Sequence, residues 1–220
     1  MRLCWVVSMI LIICYGYLSS SNLVHLGLAV ESLQYTVVHS ESDFEIRLYR
    51  ESCWVSALVR GNSFRNSTKS GFHRLYQYIH GANLNSTSFN MTAPVITSVT
   101  PQSNGSLYVI RTYITSKSPP QPNPELNAQI DYWGSHCVAV RKFPGIAKDD
   151  NIYKEVEALV SSLNNHMTGT ATTMIIQDKS SYTVAQYNAS RHLTGRLNEV
   201  WINVTAEGCP PKEKSLGAPA

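Results

Sequence analysis

Phe44-Glu45-Ile46-Arg47-Leu48-Tyr49 alternates apolar and polar residues and puts Phe44, Ile46 and Leu48 on one face, the pattern of a half-buried strand. Cys53 to Val59 is β-branched and aromatic and reads as a second strand, joined to the first through Arg50-Glu51-Ser52 as a hairpin. The set returns 84 residues later: Ile130, Trp133, Cys137, Ala139 and Gly145 follow the spacing of Ile46, Tyr49, Cys53, Val55 and Gly61. Each copy leads into a helix. Phe72, Leu75, Tyr76 and Ile79 form one apolar stripe closed by Gly81, after a polar loop over 61–70. Ile152, Val156, Leu159 and Leu163 form the second stripe, with acids in its first turn. Strands follow both helices, at Val95–Val99 and Leu107–Thr115, then at Thr172–Gln177, Tyr182–Tyr187 and Glu199–Val204. Strand, strand, helix, strands, stated twice, predicts an α+β chain of two similar halves closing one sheet or barrel.

The flanks read differently. Arg2 precedes an uncharged apolar run from Leu3 to Leu18, a secretory signal in form and short of the roughly 20 residues of a membrane span. Residues 1–30 are assigned to a signal peptide, which leaves no stable span after cleavage and a secreted or secretory-lumenal product. Six Asn-x-Ser/Thr sequons, at Asn66, Asn85, Asn90, Asn104, Asn188 and Asn203, agree with a glycoprotein. Residues 205–220 have no periodicity and are expected to be a disordered tail. Removing the leader leaves Cys53, Cys137 and Cys209; one pair plus one free thiol is the simplest outcome, and spacing does not give the pairing.

At 220 residues the chain can bury a full core without metal or disulfide staples. Its net charge of +3 comes without a Lys/Arg cluster, which argues against nucleic acid as a partner. No nucleophile elbow, zinc-protease helix, phosphate loop or Cys-x-x-Cys occurs. His136 and Cys137 are neighbours in a strand and point to opposite faces, so they are a poor nucleophile–base pair. Two features stand out. Lys69, His73 and Gln77 form a polar stripe flanked by Phe72 and Tyr76, either a solvated helix face or the edge of a ligand cleft. Glu199 sits before an apolar strand, as a hydrogen-bonded anchor or a pocket acid.

The stretches Phe44 to Tyr49, Trp54-Val55-Ser56, Gly71-Phe72, Tyr78-Ile79-x-Gly81, Met91-Thr92-Ala93-Pro94-Val95, Pro119-Pro120-x-Pro122, Phe143 to Ala147 and Asn198-Glu199-Val200-Trp201-Ile202 together resemble the SOUL haem-binding family. The resemblance spans residues 35–204. It implies a distorted antiparallel β-barrel with two helices, built from two quasi-repeated halves, that binds haem or free porphyrin without a catalytic cycle. In one branch the ligand lies on an apolar surface beside the first helix with cations near its propionates. Carried over, its basic positions fall on Lys69 and Gln77; the apolar faces of such a ligand add Phe72, Leu75, Tyr76 and Met91 as candidate walls, with His73 and Arg74 beside them. Gln77 stands where a second cation is expected, and Arg74 is the nearby substitute. In the other branch a His within the Tyr-Glu-Ile-Arg-x-Tyr segment is the proposed iron ligand; here that position is Leu48, which leaves His73 as the candidate metal ligand.

The expected function is a non-catalytic tetrapyrrole carrier or buffer with no known protein partner. One alternative is a protein-interaction module using the Pro119–Pro124 loop, with incidental haem binding. Another is a small-molecule hydrolase using Glu199, because the fold also looks like the effector-binding domains of bacterial drug-sensing regulators.

Overall fold

Ser63 starts the first helix earlier than the apolar stripe suggests. The computed structural model describes residues 31–169, 175–178, 180–187 and 196–210. In it α1 runs Phe64–Ile79, and most of the loop expected over 61–70 is helix. The Ser63 hydroxyl caps the Asn66 amide, and the Asp149 carboxylate accepts the Phe64 amide at 2.8 Å. The buried stripe is Phe64, Ser67, Gly71, Leu75, Tyr78 and Ile79; a serine and a glycine within it hid the helical period. Gly71 is there because α1 lies close on the sheet: a Cβ would stand 2.5 Å from the Ile110 side chain. The second helix, α2, spans Asp149–Gly169, with Asp149 and Asp150 in its first turn.

Among the described residues ten strands make one antiparallel, strongly curled half-barrel. In chain order they are β1 (Tyr35–Ser40), β2 (Glu45–Tyr49), β3 (Ser52–Gly61), β4 (Val95–Gln102), β5 (Gly105–Ile114), β6 (Ala128–Trp133), β7 (His136–Pro144), β8 (Ile175–Ile176), β9 (Tyr182–Gln186) and β10 (Leu197–Thr205). Their spatial order is β1-β2-β7-β10-β9-β4-β5-β3-β6, with β8 on β10. Read inward from β2 and from β6, the sheet repeats. β2/β6, β3/β7, β4/β9 and β5/β10 hold equivalent places, and each half lends its first strand to the other. The expected hairpin is therefore absent: β2 pairs with β7, while β3 pairs with β5 and β6. Exchange of β2 and β6 welds the repeats into one sheet.

Strand alternation divides the interior into two layers. Ile46, Val55, Ala57, Ile110, Ala139, Val200 and Ile202 face the helices and pack with Leu75, Ile79, Ile152, Leu159 and Leu163. Tyr49, Trp54, Ile96, Val138, Val140, Ala185 and Trp201 form a smaller cluster on the opposite face. Complete burial of such a side chain is worth about 1.5–3 kcal/mol, so the helix-side layer dominates stability.

The C-terminal segment begins with structure where a disordered tail was expected. Thr205 still pairs with Ile175, and a turn at Gly208 (φ +80°) brings Cys209 to a disulfide with Cys137. Among the described residues Cys53 is the free thiol, and it is buried. The rest of the tail, 211–220, the signal assignment over 1–30, and Asn188 lie outside the described residues. Of the strand expected at Thr172–Gln177, residues 175–177 are described, and the strand among them is Ile175–Ile176. Among the described residues no helix is long and apolar enough to cross a membrane.

Candidate functional site

With one side of α1 buried, the other carries Lys69, His73, Tyr76 and Gln77 into solvent, with Phe72 and Arg74 half-buried at its borders. Asn66, Lys69, Ser70, Phe72, His73, Arg74 and Tyr76 line an open hollow of about 650 Å³, within the roughly 300–1,000 Å³ usual for small-molecule sites. Its walls are aromatic. Phe72 and Tyr76 have ring centroids 6.3 Å apart, and Tyr76 stacks on His80 at 4.0 Å. Lys69 stands exposed at the rim. Arg74 lies across the sheet edge, donating to the carbonyls of Leu58 at 2.8 Å and Asn127 at 3.2 Å. Of the eight residues offered to the ligand from sequence, five share this hollow; Gln77 and Met91 are exposed and do not line it, and Leu75 is no wall because it lies on the opposite side of the helix, fully buried in the core.

The opposite face holds a buried polar centre. Arg47, on β2, reaches Glu199, on β10, across the intervening β7, with Nη1 3.0 and 3.2 Å from the two carboxylate oxygens. Tyr187 Oη and Trp201 Nε1 each donate to Glu199 Oε2 at 2.8 Å, and Arg47 also holds Glu45. Burial alone would lower the Arg47 pKa; the facing Glu199 charge and the Tyr49 hydroxyl reverse this and hold it above its ordinary value. Burial, then the Glu199 charge, pushes the Tyr187 hydroxyl well up. A cavity of about 250 Å³ opens beside the pair, lined in part by Tyr35, Lys142 and Tyr187. With both oxygens already accepting, Glu199 is placed as an ion-paired anchor joining β2, β9 and β10, the bland reading of its sequence position.

The other half repeats this device with the charges exchanged. Asp131 on β6 meets Arg111 on β5 at 2.9 Å, again across one strand, β3. An aromatic ring covers each guanidinium: Tyr35 lies 4.3 Å from Arg47 and Trp133 5.0 Å from Arg111. The 84-residue spacing equates Arg47 with Asp131, so sequence showed the positions and concealed the pairing.

The model of the family described as SOUL heme-binding protein matches residues 30–203. The chain belongs to the SOUL heme-binding protein family. It is 32% identical over 165 residues to heme-binding protein 2 of Homo sapiens, an alignment covering 72% of this chain and 77% of that protein. It is 28% identical over 164 residues to heme-binding protein 1 of Xenopus laevis, covering 72% and 82%. Its fold is similar to that of the EcmrR C-terminal domain, with a TM-score of 0.54, 11% identity, and 78% of this chain and 98% of that one covered.

In this SOUL chain Leu48 packs partly buried against the helix-side core. Cys137 is consumed by its disulfide, and the neighbouring His136 ring lies against Tyr49 and Trp133 on the other face, so the pair is no nucleophile. The proline loop is held down. Pro119 and Pro122 are buried, and Tyr78 Oη donates to the Pro120 carbonyl at 2.8 Å. Asn66, Asn85, Asn90, Asn104 and Asn203 are all exposed.

Proposed function

We propose that this chain binds haem or free porphyrin on the outer face of α1, as a carrier or buffer without turnover, in the secretory lumen or outside the cell. The observation that carries the reading is the α1 hollow. One helix face supplies two aromatic walls, an exposed ammonium and an imidazole, in a family whose relatives are named for haem. A tetrapyrrole needs apolar contact for its faces and cations for its propionates. The residues present fit both needs: Phe72 and Tyr76 take the ring, Lys69 takes a propionate, and His73 is the imidazole able to reach iron.

Bound haem supplies an iron whose axial positions accept nitrogen donors. The protein's own part is to cover one face and fix the rim. Because the hollow is open and Leu48 offers no donor, face burial and Lys69 dominate, and metal-free protoporphyrin is expected to bind comparably. Gln77 and Met91 border the ligand in this proposal rather than line its seat. Turnover is not part of it, because Glu199 is committed to Arg47, Tyr187 and Trp201.

The location is supported by the apolar run from Leu3 to Leu18, the Cys137–Cys209 disulfide and five exposed sequons. Parallel Soret titrations of haemin and protoporphyrin test the ligand. A mobility shift on glycosidase treatment of secreted protein tests the route. No spectral change with either ligand at micromolar concentration overturns the binding proposal.

A further inference from the structure

The polar residues at the far end of the sheet from α1 gather around one point. His39 is the penultimate residue of β1, Glu41 lies in the turn that follows, and His166 is in the last turn of α2. His39 Nε2 stands 2.9 Å and His166 Nδ1 3.3 Å from the same oxygen, Glu41 Oε1. The three potential ligand atoms lie within 4.8 Å of one another.

The backbone is arranged to bring this about. The pairing of β1 with β2 slips between Val37 and His39, a bulge that moves Val37 opposite Arg47 but His39 opposite Ile46. Arg47 belongs to the face away from the helices and Ile46 to the helix side. The bulge thus turns His39 toward α2. The turn is fixed to the same helix one turn earlier, where Ser162 Oγ donates to Asp43. Arg141 binds that carboxylate at 3.0 Å and Glu155 at 2.9 Å. Phe44, almost wholly buried, forms an apolar floor with its ring centroid 6.0 Å from each imidazole.

We propose that His39, Glu41 and His166 form a binding site for a divalent cation of the zinc class, with water completing the coordination. Two imidazoles and one carboxylate are a three-ligand donor set that zinc takes while keeping a position open. Tetrahedral ligands at zinc distances are separated by about 3.3 Å, so the trio closes on an ion with small side-chain rotations. Asp43 is committed to Arg141 and Ser162 and is not a ligand. The C-terminal end of α2 adds a partial negative charge that favours a cation. A bound ion clamps β1 to α2.

The test is a titration of the tag-free full chain with Co2+, read by the visible d–d band of four-coordinate cobalt and bleached by Zn2+. Wild-type protein is expected to show the band at one equivalent and to unfold at higher temperature with Zn2+. His39→Ala, His166→Ala and Glu41→Gln are each expected to weaken binding by at least about tenfold, while His80→Ala leaves it unchanged. Glu41 is exposed, so Glu41→Gln carries the test if a histidine variant fails to fold. No band with cobalt in excess, or a band that survives both His166→Ala and Glu41→Gln, overturns the proposal.

Discussion

Arg47 and Glu199 are 152 residues apart in sequence and meet at 3.0 Å in an ion pair whose side chains are 1% and 2% exposed. No donor or acceptor around the pair is wasted; among the described residues no buried side-chain nitrogen or oxygen lacks a partner. Removing one charge strands the other. Glu199→Gln or Arg47→Met alone is expected to destabilise the fold by about 3–5 kcal/mol. The double variant Arg47→Met/Glu199→Leu is expected to recover most of that loss. Urea unfolding of the three variants checks the cycle, and additive losses would show that the two charges do not act as a unit.

The α1 face makes a ligand prediction with internal controls. Phe72→Ala and Tyr76→Ala are expected to weaken haemin and protoporphyrin alike, by about tenfold each, because both ligands lose apolar contact. Lys69→Ala weakens both less, through a rim charge that salt screens. His73→Ala separates the ligands: a loss confined to haemin marks iron ligation, and equal retention marks a general porphyrin surface. Soret titration at two salt concentrations reads all four variants.

The disulfide bridges residues 72 apart and ties the end of β10 to β7. Cys137→Ala/Cys209→Ala is expected to lose about 2–5 kcal/mol, with wild type falling to the same value in reductant. Thermal unfolding with and without reductant compares them.

Gly71 predicts a steric cost. A Cβ there would sit 2.5 Å from Ile110 Cδ1, so Gly71→Ala must push α1 from the sheet. A loss of about 1–3 kcal/mol is expected. Ile110→Val removes the nearest crowding atom, Cδ1, but keeps a γ carbon where Cγ1 stands at 2.7 Å, so it should rescue only part of the loss, which a double-mutant cycle by urea unfolding would reveal as coupling.

Cys53 gives the alkaline behaviour. Burial raises its thiol from 9.0 to about 11. The sign follows from the folded state holding its proton longer than the unfolded chain. The contribution is complete below about pH 9 and is lost as pH rises from 9 toward 11. Relative to Cys53→Ala, wild type should therefore lose stability over that window. Unfolding at pH 8, 9.5 and 11 measures it, and parallel curves would refute the burial assignment.

Much of the architecture was legible in local pattern. The period-two alternation of Phe44 to Tyr49 and the 84-residue echo in Ile130, Trp133, Cys137, Ala139 and Gly145 announced two αβ halves, because side-chain direction in a strand is a local property. The start of α1 was not legible. Gly71 is small for lack of room against Ile110, and Ser67 is buried beside Gly61, facts of packing that composition does not carry.

The α1 hollow is contiguous in sequence, and one helix face brings Lys69, Phe72, His73, Arg74 and Tyr76 together whatever the rest of the chain does. The long-range pairs belong to the tertiary structure. Exchange of β2 and β6 between the halves set Arg47 against Glu199 and Arg111 against Asp131, while the pairing of β7 with β10 brought Cys209 to Cys137. A bulge of one residue turned His39 to His166. Sequence by itself determined which residues share a helix or strand face, because that periodicity is built into the backbone. Only the assembled sheet decided which faces meet, because that depends on how two half-sheets bury a common core.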